Sequence, residues 1–235
     1  MELVGEIAAR LARVRGRIDE ACAAAGRDPA GVRLLPVSKT QPAEAVRAAF
    51  AAGMREFGEN KPQELAAKAD ELGELAGLRW AAIGHLQTNK AKLVAEHASE
   101  FHALDSVRVA EALDRRLQAL GRGLDVFVQV NSSGEESKFG LAPAQVAEFA
   151  GALAPYHALR VVGLMTLAAN TDDPARVAGC FASMQQLQRE LREGGVAGEW
   201  DELSMGMSGD FAAAIAHGAT VIRIGTAIFG AREVA

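Results

Sequence analysis

The chain has 235 residues, 23% of them charged, and a formal net charge of -5 at neutral pH. That length holds one large α/β domain or two small ones. The acidic balance excludes a general nucleic-acid or anionic-membrane role, both of which need basic surface, and leaves room for a local site that takes one phosphate group.

Cys22 and Cys180 stand far apart in helix-like sequence, so the chain has neither a disulfide framework nor a zinc-ligand spacing, and no metal is expected. No apolar run reaches the roughly 18 residues of a spanning helix, and the first residues carry charges where an export signal would be apolar. A cytoplasmic protein with no membrane contact is the expectation. Leu3, Ile7, Leu11, Val14 and Ile18 lie at helical spacing and predict an N-terminal helix over 1–26 that ends near Gly26 and packs on the rest of the protein. Thereafter short apolar runs alternate with Ala-rich helical stretches. Strands are predicted near 33–39, 55–58, 78–83, 100–104, 124–130, 159–164, 200–204 and 220–225, with a helical pattern after each of the first seven.

Eight strands alternating with helices predict an α/β fold, a (β/α)8 TIM barrel in a single domain spanning 1–235. A doubly wound nucleotide fold would place a glycine-rich turn after the first strand, whereas this chain has "SKTQP" there.

In such barrels the chemistry sits at the C-terminal ends of the strands. Lys39, Lys61, Lys90 and Lys138 all fall near that face. Only Lys39 continues the apolar alternation of Leu35 and Val37, which points it into the barrel mouth. An amine among apolar neighbours has its charged form disfavoured and is suited to condense with a carbonyl. The competing role is a lysine that snorkels or pairs with a carboxylate such as Glu59. In "TVIRIGTAIFG", Arg223 shares a face with Val221 and Gly225 in an otherwise apolar strand. A buried guanidinium stays charged and needs either a protein carboxylate or a ligand acceptor. Gly225 and Thr226 follow it, and "SMGMSGD" brings Ser204 and Ser208 to the neighbouring strand end, where phosphate binds in many barrels. An amine for an aldehyde, a cation for a ring acceptor and a two-strand cradle for a phosphate are the three handles of pyridoxal 5′-phosphate.

"LLPVSKTQP", "FGENKPQE", "WAAIGHLQTNK", "VNSSGEESKFG", "GLMTLA", "LSMGMSGDFAAAI" and "VIRIGTAIFG" resemble, in order and spacing, the YggS/PROSC family of pyridoxal-phosphate-binding proteins, also called PLP homeostasis proteins. The resemblance runs from about residue 30 to 232 and implies a barrel of the alanine racemase N-terminal type. It implies that Lys39 carries the cofactor as an internal aldimine, that Arg223 faces the pyridine nitrogen, and that Ser208, Gly225 and Thr226 hold the phosphate. Asn60, His85, Met165 and Ser204 match pocket-lining positions of the family, and the choice between Ser204 and Ser208 for the phosphate stays open.

A permanent donor at the ring nitrogen moderates the cofactor's electron sink, and racemisation also needs an acid or base on each face of the substrate carbon. Tyr156, the one tyrosine, precedes the sixth strand and so belongs to the opposite end of the barrel. The expected function is therefore a carrier in intracellular cofactor homeostasis, without robust catalysis, that is monomeric and has apo-enzymes as acceptors. The alternative is a weak amino-acid racemase or related enzyme that uses Lys39 and His85.

Overall fold

Ile7, Leu11, Val14, Ile18 and Cys22 are the buried positions of α1 (Glu2–Ala24) in the computed structural model of the chain, which describes residues 2–230. Their helical spacing gives one apolar stripe, and the stripe decides which face is covered. Strands and helices then alternate as β1 (Arg33–Pro36), α2 (Ala43–Ala51), β2 (Glu56–Glu59), α3 (Pro62–Glu71), β3 (Arg79–Ala82), α4 (Ala91–His97), β4 (Glu100–Leu104) and α5 (Val107–Leu120). The second half continues with β5 (Leu124–Gln129), α6 (Val146–Ala152), β6 (Leu159–Met165), α7 (Pro174–Glu193), β7 (Glu202–Ser204), α8 (Phe211–Ala216), β8 (Val221–Ile224) and α9 (Thr226–Phe229).

Local chemistry sets several of these boundaries. Ser106 caps α5 by accepting a hydrogen bond from the Val109 amide, and Gly121 ends it in the left-handed conformation. Asp173 caps α7 by accepting from the amides of Ala175 and Arg176, with Pro174 in the first turn where its missing N–H does no harm.

All strand pairings are parallel, in the order β1-β8-β7-β6-β5-β4-β3-β2. The ring closes between β1 and β2 through a Val37–Gly58 bridge and a hydrogen bond from the Ser38 amide to the Gly58 carbonyl, 3.1 Å. The observed architecture is thus the expected eight-stranded α/β barrel with its preceding helix. α1 packs across α2, α8 and α9, the helices that flank the first and last strands.

Two strands are shorter than their apolar runs. β1 ends at Pro36 rather than 39, because Val37 makes the last amide bond to Ile224, Ser38 turns to Gly58, and Thr40 sits at φ 63. β7 starts at Glu202 rather than 200, since Trp200 at φ 50 cannot be extended. The barrel interior is mostly apolar, with Leu35, Phe57, Phe101 and Phe127 fully buried. A few polar groups interrupt it: His102, Gln129, Ser204 and Arg223 are buried on the strands. Such groups need partners inside the protein or in a ligand.

Candidate functional site

A cavity of about 350 Å³ opens at the C-terminal ends of the strands. That volume is in the range of small-molecule sites. Lys39, Asn60, Ser208, Arg223, Gly225 and Thr226 all line it, brought together from β1, β2, β7 and β8 and the loops that follow them. Val37, Ile83, Leu167 and Met207 supply apolar wall. A larger hollow of about 630 Å³ adjoins it and shares Leu167, Met207 and Gly209.

The Lys39 backbone is clamped on both sides. The buried Ser38 donates its hydroxyl to Glu59, 2.7 Å, and its carbonyl accepts from the ammonium of Lys68, 2.7 Å. On the other side the Thr40 amide donates to Glu64, 2.5 Å. Lys68 on α3 also donates to Glu59 at 2.6 Å and Glu64 at 2.8 Å, so one buried ammonium joins both halves of the clamp. Glu59 is thus engaged by Lys68 and Ser38 through one oxygen, and burial pushes its carboxyl up despite those contacts. Thr40 holds a left-handed backbone, which costs about 1–3 kcal/mol for a non-glycine residue and turns the chain sharply after Lys39. Lys39 itself is half-buried, at the junction of the clamp and the cavity.

Arg223 lies across the floor. It is 4% exposed, donating from Nη1 to Ser204 Oγ at 2.7 Å and from Nη2 to the Thr166 carbonyl at 2.8 Å. Burial pulls its pKa down to about 10, opposed by the negative charge of Asp210, so it remains a cation at neutral pH. No carboxylate stands within ion-pair distance of it among the described residues. Of five donors in the guanidinium, two are met by protein in these hydrogen bonds, and the residue lines the cavity.

The loop after β7 follows from its glycine. At Gly206, φ 96, a Cβ would lie 2.7 Å from the Ala214 side chain, so only glycine lets Met207 and Ser208 fold over the cavity. The Met207 amide then donates to Asp210 at 2.6 Å. At Gly84 a Cβ would collide with the Asn60 carbonyl, so glycine there lets the loop after β3 seat against Asn60.

Three residues singled out from sequence stand outside the cavity wall. Ser204 is buried, turned to Arg223 and to His102 Nδ1 at 2.9 Å, while Ser208 is the serine that lines the cavity. Met165 is buried core in register with Gln129 and Ser204. His85 is at the rim, stacked on Phe139 with ring centroids 3.9 Å apart, its Nδ1 3.7 Å from Asp105. Burial raises the Asp105 carboxyl against the pull of His85.

Of the other lysines, Lys138 is tied to Glu135 at 2.7 Å and to the Ala168 carbonyl at 2.6 Å in the adjoining hollow, rather than simply solvated. Tyr156 lines a separate hollow with His157 and Arg160 before and along β6. Sequence reasoning passed over Lys68, Glu64, Thr166 and His102. The signals were faint: Glu64 and Lys68 at i,i+4 read as an ordinary helix pair, and Glu100 with His102 on one strand face was the local mark of their place in the interior.

Over residues 10–233 the chain matches the alanine racemase N-terminal domain, the class of protein that this barrel and its mouth define. It is 47% identical over 227 residues to the pyridoxal phosphate homeostasis protein of Pseudomonas aeruginosa, covering 97% of this chain and 96% of that one. The protein of the same name from Escherichia coli is 42% identical over 239 residues, 98% of each chain. Among solved structures, PipY of Synechococcus elongatus with PLP bound superposes with a TM-score of 0.84 at 38% identity, covering 96% of this chain and all of that one (100%). The chain belongs to the alanine racemase N-terminal domain family and stands among its pyridoxal phosphate homeostasis proteins.

Proposed function

We propose that this protein binds pyridoxal 5′-phosphate in the 350 Å³ cavity and serves cofactor homeostasis as a carrier, with no robust turnover of its own. One observation carries the reading: Lys39, the partly matched buried cation Arg223, and Ser208 with Thr226 all line one cavity. The residues fit the group. A buried guanidinium with unmet donors suits an unprotonated ring nitrogen, hydroxyls suit a phosphate, and an amine at the wall suits an aldehyde.

When bound, the cofactor supplies an aldehyde carbon that an amine can reversibly attack. Lys39, at the cavity wall, is the residue that would supply that amine. Arg223 would orient the ring by donating to its nitrogen, as a cation that has no lone pair to accept with. Ser208, Gly225 and Thr226 hold the phosphate, and Asn60 lines the wall beside Lys39. The homologues named for pyridoxal phosphate homeostasis and the PLP-bound PipY structure support the reading.

The carrier role over racemisation is supported by the setting of the acid-base candidates: His85 is occupied with Phe139 and Asp105, and Tyr156 belongs to another hollow. The same reading takes the whole chain as one domain, a monomer of the cytoplasm that hands its cofactor to apo-enzymes. The test is the visible spectrum of the protein and of Lys39→Ala after mixing with pyridoxal phosphate, then borohydride reduction and mapping of the adduct. A band lost in the variant, with the adduct on Lys39, is expected. An adduct spread over Lys61, Lys90 and Lys138 would overturn the site.

A further inference from the structure

Arg223 is the far end of a hydrogen-bonded chain that crosses the barrel interior. Glu100 begins it at the N-terminal end of β4, where its carboxylate meets Arg33 at 2.9 Å. His102, two residues on and on the same strand face, places Nε2 2.7 Å from Glu100 Oε2. Its Nδ1 is 2.9 Å from Ser204 Oγ on β7, and Ser204 in turn accepts from Arg223 on β8 at 2.7 Å. All of His102, Ser204 and Arg223 are buried, in positions where polar groups settle only with partners.

The proton positions along this chain follow from what each group is able to do. An ionised carboxylate only accepts, so His102 Nε2 must carry the hydrogen it gives to Glu100. Burial pulls the imidazole pKa down, outweighing the hydrogen bond and charge of Glu100, and Arg223 and Arg33 push the same way. The ring is therefore neutral, and its Nδ1 is an acceptor. Ser204 Oγ takes a hydrogen from Arg223, so its own proton is directed to Nδ1. The hydrogen bonds thus run in one sense, Arg223 to Ser204 to His102 to Glu100. The groups facing the imidazole from the packed strands are Glu100 on its own strand, Arg33 on β1, Ser204 on β7 and Arg223 on β8, with the Phe127 ring against it from β5 at 4.1 Å. Glu56 on β2 takes the other side of Arg33.

We infer that His102 is a positioning residue for the ring end of the cofactor site: by joining Glu100 to Ser204 it fixes where Arg223 points and offsets part of its charge. A buried cation with no adjacent carboxylate is thereby tied to one across the barrel, through groups that share polarisation along the chain. The inference rests on the reading that Arg223 meets the cofactor ring.

Two measurements test it. In cofactor-free protein, ¹⁵N NMR of the His102 ring between pH 7 and 8 is expected to show the neutral Nε2–H tautomer; an imidazolium or an Nδ1–H tautomer would overturn the assignment. In loaded protein, the pH titration of the cofactor's visible band is compared in wild type, His102→Phe, His102→Gln and Ser204→Ala. The Phe and Ala variants lose negative potential around Arg223, so their midpoint should fall by roughly one pH unit. The Gln variant, whose amide is able both to accept from Ser204 and to donate to Glu100, should stay near wild type. If His102→Phe fails to fold, Ser204→Ala removes a single hydroxyl and gives the same answer. Normal loading on Lys39 with an unchanged midpoint in the Phe and Ala variants overturns this inference alone. Wild type that binds no pyridoxal phosphate overturns the inference together with the proposed function.

Discussion

An amine at a strand end is common, and what distinguishes Lys39 is the way its neighbours are spoken for. Ser38, Glu59, Glu64 and Lys68 hydrogen-bond the chain on either side of it, so the backbone that carries the amine is fixed before any ligand arrives. Lys39 and Arg223 were legible in the sequence because each breaks or ends a period-two apolar run, a purely local signal. Ser204 and Ser208 were not separable that way, since β7 ends at Ser204 and Ser208 lies in the loop beyond it, where strand alternation sets no direction. The structure puts Ser208 on the cavity and Ser204 beneath it against Arg223. If Ser208 binds the phosphate, Ser208→Ala should weaken pyridoxal phosphate by roughly 10-fold or more, as for loss of a hydrogen bond to a charged group, while leaving pyridoxal, which has no phosphate, unaffected. Ser204→Ala should leave the ratio of the two affinities unchanged. Titrating both ligands against both variants checks this.

Among the elements, α1 shows how a segment remote from the cavity in sequence supports it. Its stripe of Ile7, Leu11, Val14, Ile18 and Cys22 is covered by α2, α8 and α9, and α9 begins with Thr226. Just after the helix, Arg27 donates to the carbonyls of Ile215 and Ala219 at 2.8 and 2.7 Å, tying the N-terminal segment to the turn before β8. Leu11 is 1% exposed, and Leu11→Ala should destabilise the fold by about 2–5 kcal/mol, read by chemical denaturation. A loss of less than about 0.5 kcal/mol, the usual bound for surface positions, would mean that the helix is not part of the cooperative unit. The existence and order of the elements were legible because each segment's periodicity is its own. Two of their ends were not, since the end of β1 is set by Gly58 across the barrel closure and the start of β7 by the φ of Trp200.

At the scale of the whole molecule, the buried ionisable groups make stability depend on pH. His102 has its pKa lowered by burial from a reference of 6.5, so the folded state binds fewer protons than the unfolded chain below that pH. Its contribution is full above about 6.5 and declines as pH falls toward the folded-state pKa, by about 1.4 kcal/mol for each pH unit crossed. Burial works against ionisation of Glu100, yet His102 and Arg33 hold its carboxyl at about 2, so its contribution is lost as pH falls from 4.5 toward that value. Glu56 and Glu59, raised by burial, act with the opposite sign, gaining stability on acidification. The informative quantity is therefore a difference: between pH 7 and 5, wild type should lose more thermal stability than His102→Gln, which cannot titrate. Parallel curves would show that His102 titrates alike in the folded and unfolded chain.

The sequence by itself determined the run of eight strands and their helices, the α/β barrel they imply, and the candidate amine and guanidinium. Apolar periodicity, glycine turns and strand-end position are properties of a few adjacent residues, and they survive in a string of letters. Only the tertiary structure decided that Lys68 reaches back to the strand end of Lys39, that Ser208 rather than Ser204 meets the cavity, and that His85 lies with Phe139 at the rim. It alone also joined Glu100 and His102 to Ser204 and Arg223. Those partners come from different strands and helices. Closing the barrel fixes which of them meet, because a buried polar group must find its partner across space, wherever that partner lies along the chain.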